Sequence, residues 1–185
     1  EEDIPLSYKF LPGEECTKVY QGEAEKYDLV IALDTGDIER LGKRVEIFNI
    51  GSDTINIDHH ATNTEFAKLN YVKTSSSATG EIIYQLIKMM GIPLTEEMAT
   101  CIYVAITTDT GGFRYSNTTS ITHQIVSDLI NSGVDVAGVS QLLFETMSLG
   151  KTKLMGSAID TLEILEGGKV AIIIVTEDMI KNAGA

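Results

Sequence analysis

The chain has 185 residues, 43% of them hydrophobic and 22% charged, which suits one globular domain, or one domain and part of another. It contains no run of about 18 apolar residues, so we expect no membrane-spanning segment. Its net charge of −13 argues against a protein that grips long nucleic acids, because that function needs a basic surface. An anionic substrate would have to be received by metal ions or by a few placed cations.

The two cysteines, Cys16 and Cys101, do not form a metal-binding or redox motif. Cys101 falls on the apolar face of a predicted helix and is interpreted as a small core residue. Without a disulfide framework, the reducing cytoplasm is the expected compartment.

Strands come first along the chain. "YDLVIALD" (27–34) is a continuous apolar run, which is typical of a parallel strand covered on both faces. "TINID" (54–58) predicts a second strand, and the alternating "AKLNYVK" (67–73) predicts a third. Each of the first two runs directly into polar residues.

Helical patterns dominate the middle of the chain. Apolar residues recur at helical spacing, with Ser or Thr at the starts and Gly at several ends. The predicted helices lie in 75–93, in 94–112 with an end near Thr108 and Asp109, in 118–133 and in 135–150. The last of these is also a candidate surface for a homodimer.

The C-terminal part reads as a linker near 148–156, a segment that is helical and then strand-like, a turn, a buried strand and the start of a helix. Alternation of strands and helices predicts an α/β fold with a doubly wound, mostly parallel sheet flanked by helices, followed by the start of a second α/β domain.

Acidic and imidazole side chains follow the predicted strands and one helix: Asp34, the triplet Asp58-His59-His60, and Asp109. Each alone has an ordinary explanation as a turn or structural residue. Because ligands bind at the carboxyl ends of parallel strands, their combination favours a site for Mn²⁺, Mg²⁺, Fe²⁺ or Zn²⁺. Side chains alternate along a strand, so His59 and His60 are expected to have different roles.

The segments "LVIALDTGDIERLG", "DHH" and "TTDTGGFRYSNT" resemble motifs two, three and four of the DHH phosphoesterase superfamily. The residues of these motifs are most similar to those of the bifunctional oligoribonucleases, or nano-RNases, that also remove the 3′-phosphate of adenosine 3′,5′-bisphosphate. The likeness extends to "FLPG" (10–13) and "LEILEGGKVAIIIVT" (162–176). Three motifs in order are far more specific than a DHH triplet alone.

The resemblance implies metal-assisted phosphoester hydrolysis with two divalent ions, usually Mn²⁺. Asp34 matches the bridging aspartate, and His59 and Asp109 match further metal ligands. Asp58 would orient the site, and His60 would face the substrate phosphate. Arg114 is a candidate phosphate contact by its chemistry, with a solvated loop arginine as the alternative.

The family's first motif, Asp-x-Asp after a strand, is not found, and the resemblance puts it upstream of Glu1. The glycine-rich substrate motif of the family's C-terminal domain is also missing. The chain opens on Glu rather than Met, and we expect a protein truncated at both ends. Residues 1–150 would be the DHH catalytic domain without its first motif, and 151–185 a linker helix and the start of the next domain. Weak metal binding and little activity are expected of this fragment.

Three functions remain open. The first is hydrolysis of short oligoribonucleotides together with the nucleotide phosphatase activity. The second is hydrolysis of linear or cyclic dinucleotides. The third is a nucleotide-binding regulatory module that has lost catalysis.

Overall fold

A computed structural model describes residues 4–22 and 25–185 of the chain. The chain folds into two compact units, one ending at Val136 and the other running from Ala137 to Ala185. Each unit is described separately.

The first unit contains a parallel sheet of three strands, β1 (Leu29–Leu33), β2 (Asp53–Asp58) and β3 (Leu69–Val72), in the order β1-β2-β3. A 3₁₀ segment (Ile38–Arg44) and a short helix α1 (Val45–Ile50) connect β1 to β2. All three strands point in one direction, so their carboxyl ends lie at one edge of the sheet. This confirms the predicted α/β class and its parallel sheet.

Three longer helices follow the sheet: α2 (Thr79–Met89), α3 (Glu96–Asp109) and α4 (Ser120–Asn131). Their starts follow from the sequence, because the hydroxyl groups of Thr95 and Thr119 accept hydrogen bonds from the first-turn amides of α3 and α4. The three helices predicted from the apolar spacing are therefore present. Among them, α3 ends at Asp109, where the sequence placed its end.

The core of the first unit lies where these helices pack on one another and on β2. Ile106 and Leu129 are completely buried, and Ile57, Ile82 and Ile102 are nearly so. Burial at this level contributes about 1.5–3 kcal/mol per large aliphatic side chain. The helices that hold the candidate site in place are thus fixed by a conventional apolar core.

One face of β1 departs from expectation. The sequence predicted a strand covered on both faces, but Leu29, Ile31 and Leu33 are 46%, 48% and 48% exposed, whereas Ala32 is buried. Helix α2 packs on the sheet mainly at β2, so within 4–22 and 25–136 the face of β1 that carries these three residues is only partly covered. A continuous apolar run cannot by itself tell a doubly covered strand from a strand with one half-exposed face.

The second unit is a set of short elements, all of whose residues are described. It comprises the remainder of α5 (Val136–Ser140), a π-helical turn (Gln141–Glu145), α6 (Leu149–Ile159), the antiparallel pair β4 (Glu163–Leu165) and β5 (Val170–Ile172), and α7 (Glu177–Ala183). The segment predicted as a linker helix corresponds to α6. The assignment of 151–185 to a second domain of the family stays a prediction.

Two expectations for this part of the chain were wrong. The helix predicted over 135–150 stops at Glu145, because the backbone becomes extended at Thr146, whose amide and hydroxyl both donate to the Gln141 carbonyl. The strand predicted to be buried is exposed, with Ile172 at 40%, because β5 pairs only with β4 within the second unit. Among the described residues no helix is both long and apolar enough to cross a membrane.

Candidate metal centre

The ends of two strands and one helix meet at the carboxyl edge of the sheet. Asp34 directly follows β1, His59 and His60 directly follow β2, and Asp109 is the last residue of α3. The Asp34 amide donates to the Ile57 carbonyl at 3.0 Å, which holds this residue beside the end of β2. Asp34 has φ +56°, a left-handed conformation that Asp tolerates better than most residues.

His59 lies between two carboxylates. Its Nε2 is 3.6 Å from Asp34 Oδ1 and 3.5 Å from Asp109 Oδ2. Its Nδ1 lies 3.2 Å from the Ser76 carbonyl oxygen, which can only accept, so Nδ1 carries the proton of the neutral ring and donates it. The lone pair of Nε2 is therefore directed at Asp34 and Asp109.

Such an arrangement suits a divalent cation. Ligand atoms that each lie about 2.1 Å from a shared ion are roughly 3–4 Å apart, and the two distances from His59 Nε2 to Asp34 and to Asp109 fall in this range. The group whose ligand atoms all lie within 4.8 Å of one another consists of Asp34, His59 and His60, with Asp109 outside it. The donor set of carboxylate oxygens and imidazole nitrogen fits Mn²⁺ and related ions, and the fixed Nδ1 hydrogen bond is the usual support of a metal-binding histidine.

His60 is held by Asp58 rather than by main chain. Its Nδ1 donates to Asp58 Oδ1 at 2.7 Å, and its ring lies against that of His59 with centroids 4.6 Å apart. Asp58 is completely buried, and its Oδ2 accepts from Asn63 Nδ2 at 2.6 Å. Burial acts to raise the pKa of Asp58, but the hydrogen bonds from Asn63, His60 and the His59 amide outweigh it and hold the pKa below its usual value.

Asp109 shows the opposite behaviour. Burial raises its pKa, and the negative charge of Asp34 raises it further, against the smaller opposing effect of the two histidines. The protein alone therefore brings together more negative charge at this edge than it compensates, which is the electrostatic condition that a bound cation relieves.

Asp34 is oriented from two sides. Thr79, the first residue of α2, donates its hydroxyl to Asp34 Oδ1 at 2.8 Å. The following turn is fixed by fully buried Asn56, whose side-chain amide donates to the Thr35 carbonyl at 3.1 Å. The unusual backbone of Asp34 is thus stabilised by neighbours on β2 and α2.

The loop after Asp109 folds tightly. Gly111, Gly112 and Phe113 all have positive φ, and a Cβ on Gly111 would clash with the Tyr115 ring. Arg114 is exposed, and its Nε donates to the Gly111 carbonyl at 2.7 Å, so the guanidinium is anchored within its own loop.

The structure brings together Asp34, His59, His60 and Asp109, with Asp58 directly behind His60. It links Arg114 to its own loop, where only its position soon after Asp109 connects it with the site. Sequence reasoning missed Asn63 and Thr79. Asn63 had a signal in "DHHATN", where an amide follows the triplet at turn spacing, and Thr79 was noticed only as part of a helix start.

A parallel α/β sheet with carboxylates and imidazoles at the carboxyl ends of its strands defines a class of divalent-metal sites. Residues 3–106 match the family described as "DHH family, N-terminal domain". The chain belongs to this family.

Curated relatives extend the likeness over most of the chain. The bifunctional oligoribonuclease and PAP phosphatase NrnA of Thermus thermophilus is 36% identical over 99% of this chain and 54% of its own length. The protein of the same name from Bacillus subtilis is 30% identical over 95% of this chain and 55% of its length. The chain therefore spans about half the length of these relatives.

Solved structures share the fold. An exopolyphosphatase-related protein from Bacteroides fragilis superposes with a TM-score of 0.87 at 25% identity, covering 97% of this chain and 56% of that one. A family II inorganic pyrophosphatase, described as putative, from Methanococcus jannaschii gives a TM-score of 0.55 at 18% identity, over 86% and 57% of the two chains. The second likeness speaks for the fold alone.

Proposed function

We propose that the full-length protein hydrolyses phosphoester bonds in short oligoribonucleotides and removes the 3′-phosphate of adenosine 3′,5′-bisphosphate. The observation that carries the proposal is the convergence of Asp34, Asp109 and the Nε2 lone pair of His59 at one edge of the sheet. The names of the relatives from Thermus thermophilus and Bacillus subtilis supply the substrate class.

Asp34, His59 and Asp109 are the proposed metal ligands, with Mn²⁺ as the proposed ion and Mg²⁺ as the alternative. Bound divalent cations would neutralise phosphate charge and make water a better nucleophile. The ligands' own part is geometric: Thr79 orients Asp34, and the Ser76 carbonyl fixes the His59 ring. The chain is strongly acidic, so an anionic substrate needs such a positive centre.

His60 and Asp58 form the proposed catalytic pair. Because His60 Nδ1 donates to Asp58, Nε2 is the ring nitrogen left to contact a phosphate oxygen, on a side chain that is 38% exposed. Buried, ionised Asp58 supports a positive charge on that ring while the phosphate is attacked. Arg114, on the loop after Asp109, is the proposed second phosphate contact.

The organisation of the longer protein is part of the proposal. Residues 1–150 would belong to the catalytic domain and 151–185 to the connection with the next domain. The remaining ligands of a two-ion site would come from a first motif outside this chain, so the chain alone would bind metal weakly and hydrolyse little. Location in the cytoplasm and a homodimer stay predictions.

The test offers the full-length protein three substrates with Mn²⁺: the dinucleotide pApA, a cyclic dinucleotide, and adenosine 3′,5′-bisphosphate. Comparable hydrolysis of the first and third supports the proposal. Preference for the cyclic compound would instead indicate a phosphodiesterase that hydrolyses cyclic dinucleotides. No hydrolysis of any substrate, combined with tight nucleotide binding, would indicate a regulatory module without catalysis.

A further inference from the structure

Glu81, in the first turn of α2, is a carboxylate without a described role. It is only 2% exposed, and its oxygens accept three hydrogen bonds from neutral donors. The Ser77 amide donates to Oε2 at 3.2 Å, and the hydroxyls of Ser77 and Thr122 each donate to Oε1 at 2.6 Å. Three polar groups therefore converge on the two oxygens of this enclosed side chain.

The peptide group between Ser76 and Ser77 connects this carboxylate to the candidate metal centre. Its N–H donates to Glu81, and its carbonyl accepts from His59 Nδ1 at 3.2 Å. One rigid planar unit thus has the buried carboxylate at one end and the metal-facing imidazole at the other.

Hydrogen bonds in such a chain reinforce one another. A carboxylate that draws on the peptide N–H increases the negative charge on the carbonyl oxygen, which then becomes a stronger acceptor. A stronger acceptor at Nδ1 holds the imidazole in one tautomer and makes Nε2 a better electron donor. Metal-binding histidines are commonly supported by a carboxylate directly, and here a peptide group would stand between the two.

We propose that Glu81 is a positioning residue for His59, acting through the Ser76–Ser77 peptide group. The relay, meaning Glu81, this peptide group and His59, keeps the Nε2 lone pair directed at Asp34 and Asp109. The proposal rests on the proposed metal site, but the tautomer of His59 can be measured without any metal.

A second contact ties the same peptide segment to Asp109. The Asn117 side-chain amide donates to the Ser77 carbonyl at 2.9 Å and to the Asp109 carbonyl at 3.1 Å. Holding Ser77 in place therefore also fixes the backbone at the end of α3. Glu81 influences two of the three proposed ligands through one serine.

The ordinary alternative is that Glu81 only stabilises the start of α2. An acidic residue in the first turn has favourable interactions with the helix dipole and with free amides there. That role predicts lower stability on substitution, but it predicts no change in the imidazole of a variant that still folds. The tautomer of His59 separates the two roles.

The experiment uses ¹⁵N-histidine-labelled, metal-free chain, whose three histidines make the long-range ¹H–¹⁵N spectrum simple to assign. In the unchanged chain at a pH where His59 is neutral, we expect the Nδ1–H tautomer. In Glu81→Gln, we expect the ratio of Nδ1–H to Nε2–H to fall by a factor on the order of two or more. An Nε2–H tautomer in the unchanged chain, or an unchanged ratio in the folded variant, would overturn the proposal.

Tyr84→Phe is the matched control, because it removes a buried-side-chain hydrogen bond from the same helix, that of Tyr84 to Asp128. It should leave the His59 ratio unchanged; an equal change in both variants would assign the effect to loosening of α2 and overturn the relay. Should Glu81→Gln not fold, the triple variant Ser77→Ala, Glu81→Met, Thr122→Val replaces the whole network by apolar groups, a change that can be nearly neutral for stability. In the triple variant, a fall in the ratio of Nδ1–H to Nε2–H at His59 would support the relay, and an unchanged ratio would overturn it.

Mn²⁺ affinity of the full-length protein, followed by electron paramagnetic resonance, provides the second readout. Loss of the relay should weaken binding about tenfold, the lower end for groups that orient metal-binding histidines. If the tautomer responds to Glu81→Gln but the unchanged full-length protein binds no Mn²⁺, the relay is supported and the metal site fails. If Mn²⁺ binds equally to both folded proteins and the tautomer is constant, the relay fails and the metal site stands.

Discussion

The two compact units differ in what they bury. In the first, polar side chains such as Asn56, Asp58 and Glu81 are completely or almost completely enclosed, and each has specific hydrogen-bond partners. In the second, all three residues of both strands are exposed, and Ile173 and Ile174 are each 52% exposed.

A buried polar group is costly unless it is hydrogen-bonded, so such groups persist only where the surrounding core fixes their partners. The first unit has that core, and it holds in place the proposed site residues Asp34, Asp58, His59, His60 and Asp109. The second unit has apolar surface but encloses little of it by itself. The comparison predicts that function depends sharply on single side chains in the first unit and weakly on single side chains in the second.

The largest effect should come from His59→Ala. Losing the nitrogen that faces both carboxylates should lower hydrolysis by the full-length protein about a thousandfold or more, since metal ions supply several kcal/mol of charge stabilisation. Rates on pApA with Mn²⁺ measure it. His123→Ala is the matched control, because His123 lies on α4 against Phe113, outside the cluster. Equal rates for the unchanged protein and His59→Ala would contradict the proposed role of His59 as a metal ligand.

The comparison of the cores is sharpened by the same substitution in each unit. Ile106→Ala removes a completely buried side chain of α3 and should lower the free energy of unfolding by about 2–5 kcal/mol. Ile174→Ala removes a half-exposed side chain and should change it by less than about 1 kcal/mol. Urea denaturation followed by circular dichroism measures both. Equal losses would mean that the second unit is as well packed as the first.

Asp58→Asn should lower the turnover rate about 10–100-fold, because His60 loses its buried anionic partner. The lowered pKa of Asp58 also has a consequence for stability: its ionised form stabilises the fold above the ordinary pKa of 3.8, and this contribution is lost as the pH falls. The unchanged chain should therefore lose more stability than Asp58→Asn between about pH 5 and pH 3. Parallel pH profiles of the two melting temperatures would contradict this.

The smallest effect is expected for Tyr84→Phe, which removes the 2.5 Å hydrogen bond from Tyr84 to Asp128. Burial, followed by the hydrogen bond and the charge of Asp128, raises the pKa of Tyr84 from 10.0 to about 12. A raised pKa contributes stability below pH 10.0 that is lost as the pH rises towards 12. The unchanged chain should be about 1 kcal/mol more stable than the variant near neutral pH, and the difference should shrink over that range. A constant difference would show that the hydroxyl does not titrate as described.

Sequence periodicity was sufficient for the three main helices and for the three parallel strands. It also predicted that Asp34 and His59 lie at one edge, because each directly follows a parallel strand, and it placed Asp109 at the end of a helix. The role of these three residues as metal ligands stays a prediction.

The supporting contacts could not be predicted in the same way. Ser76 supports His59 with a backbone carbonyl, which leaves no mark on residue identity. Thr122 reaches Glu81 across 41 positions of sequence, a pairing that only the packing of α4 on α2 creates. The half-exposed face of β1 was missed because apolar content does not reveal which neighbour covers a residue. The early end of the helix after Val136 was missed because the extended backbone at Thr146 has no signal in the apolar spacing.

The left-handed backbone at Asp34 determines which substitutions can be interpreted. Asparagine keeps the shape of the side chain and tolerates φ +56°, so Asp34→Asn changes charge with little else. A β-branched replacement such as Asp34→Val would also strain the main chain, and its effect on activity would mix two causes. At Asp34 the amide isostere is therefore the cleanest substitution, and alanine at this position would confuse chemistry with conformation.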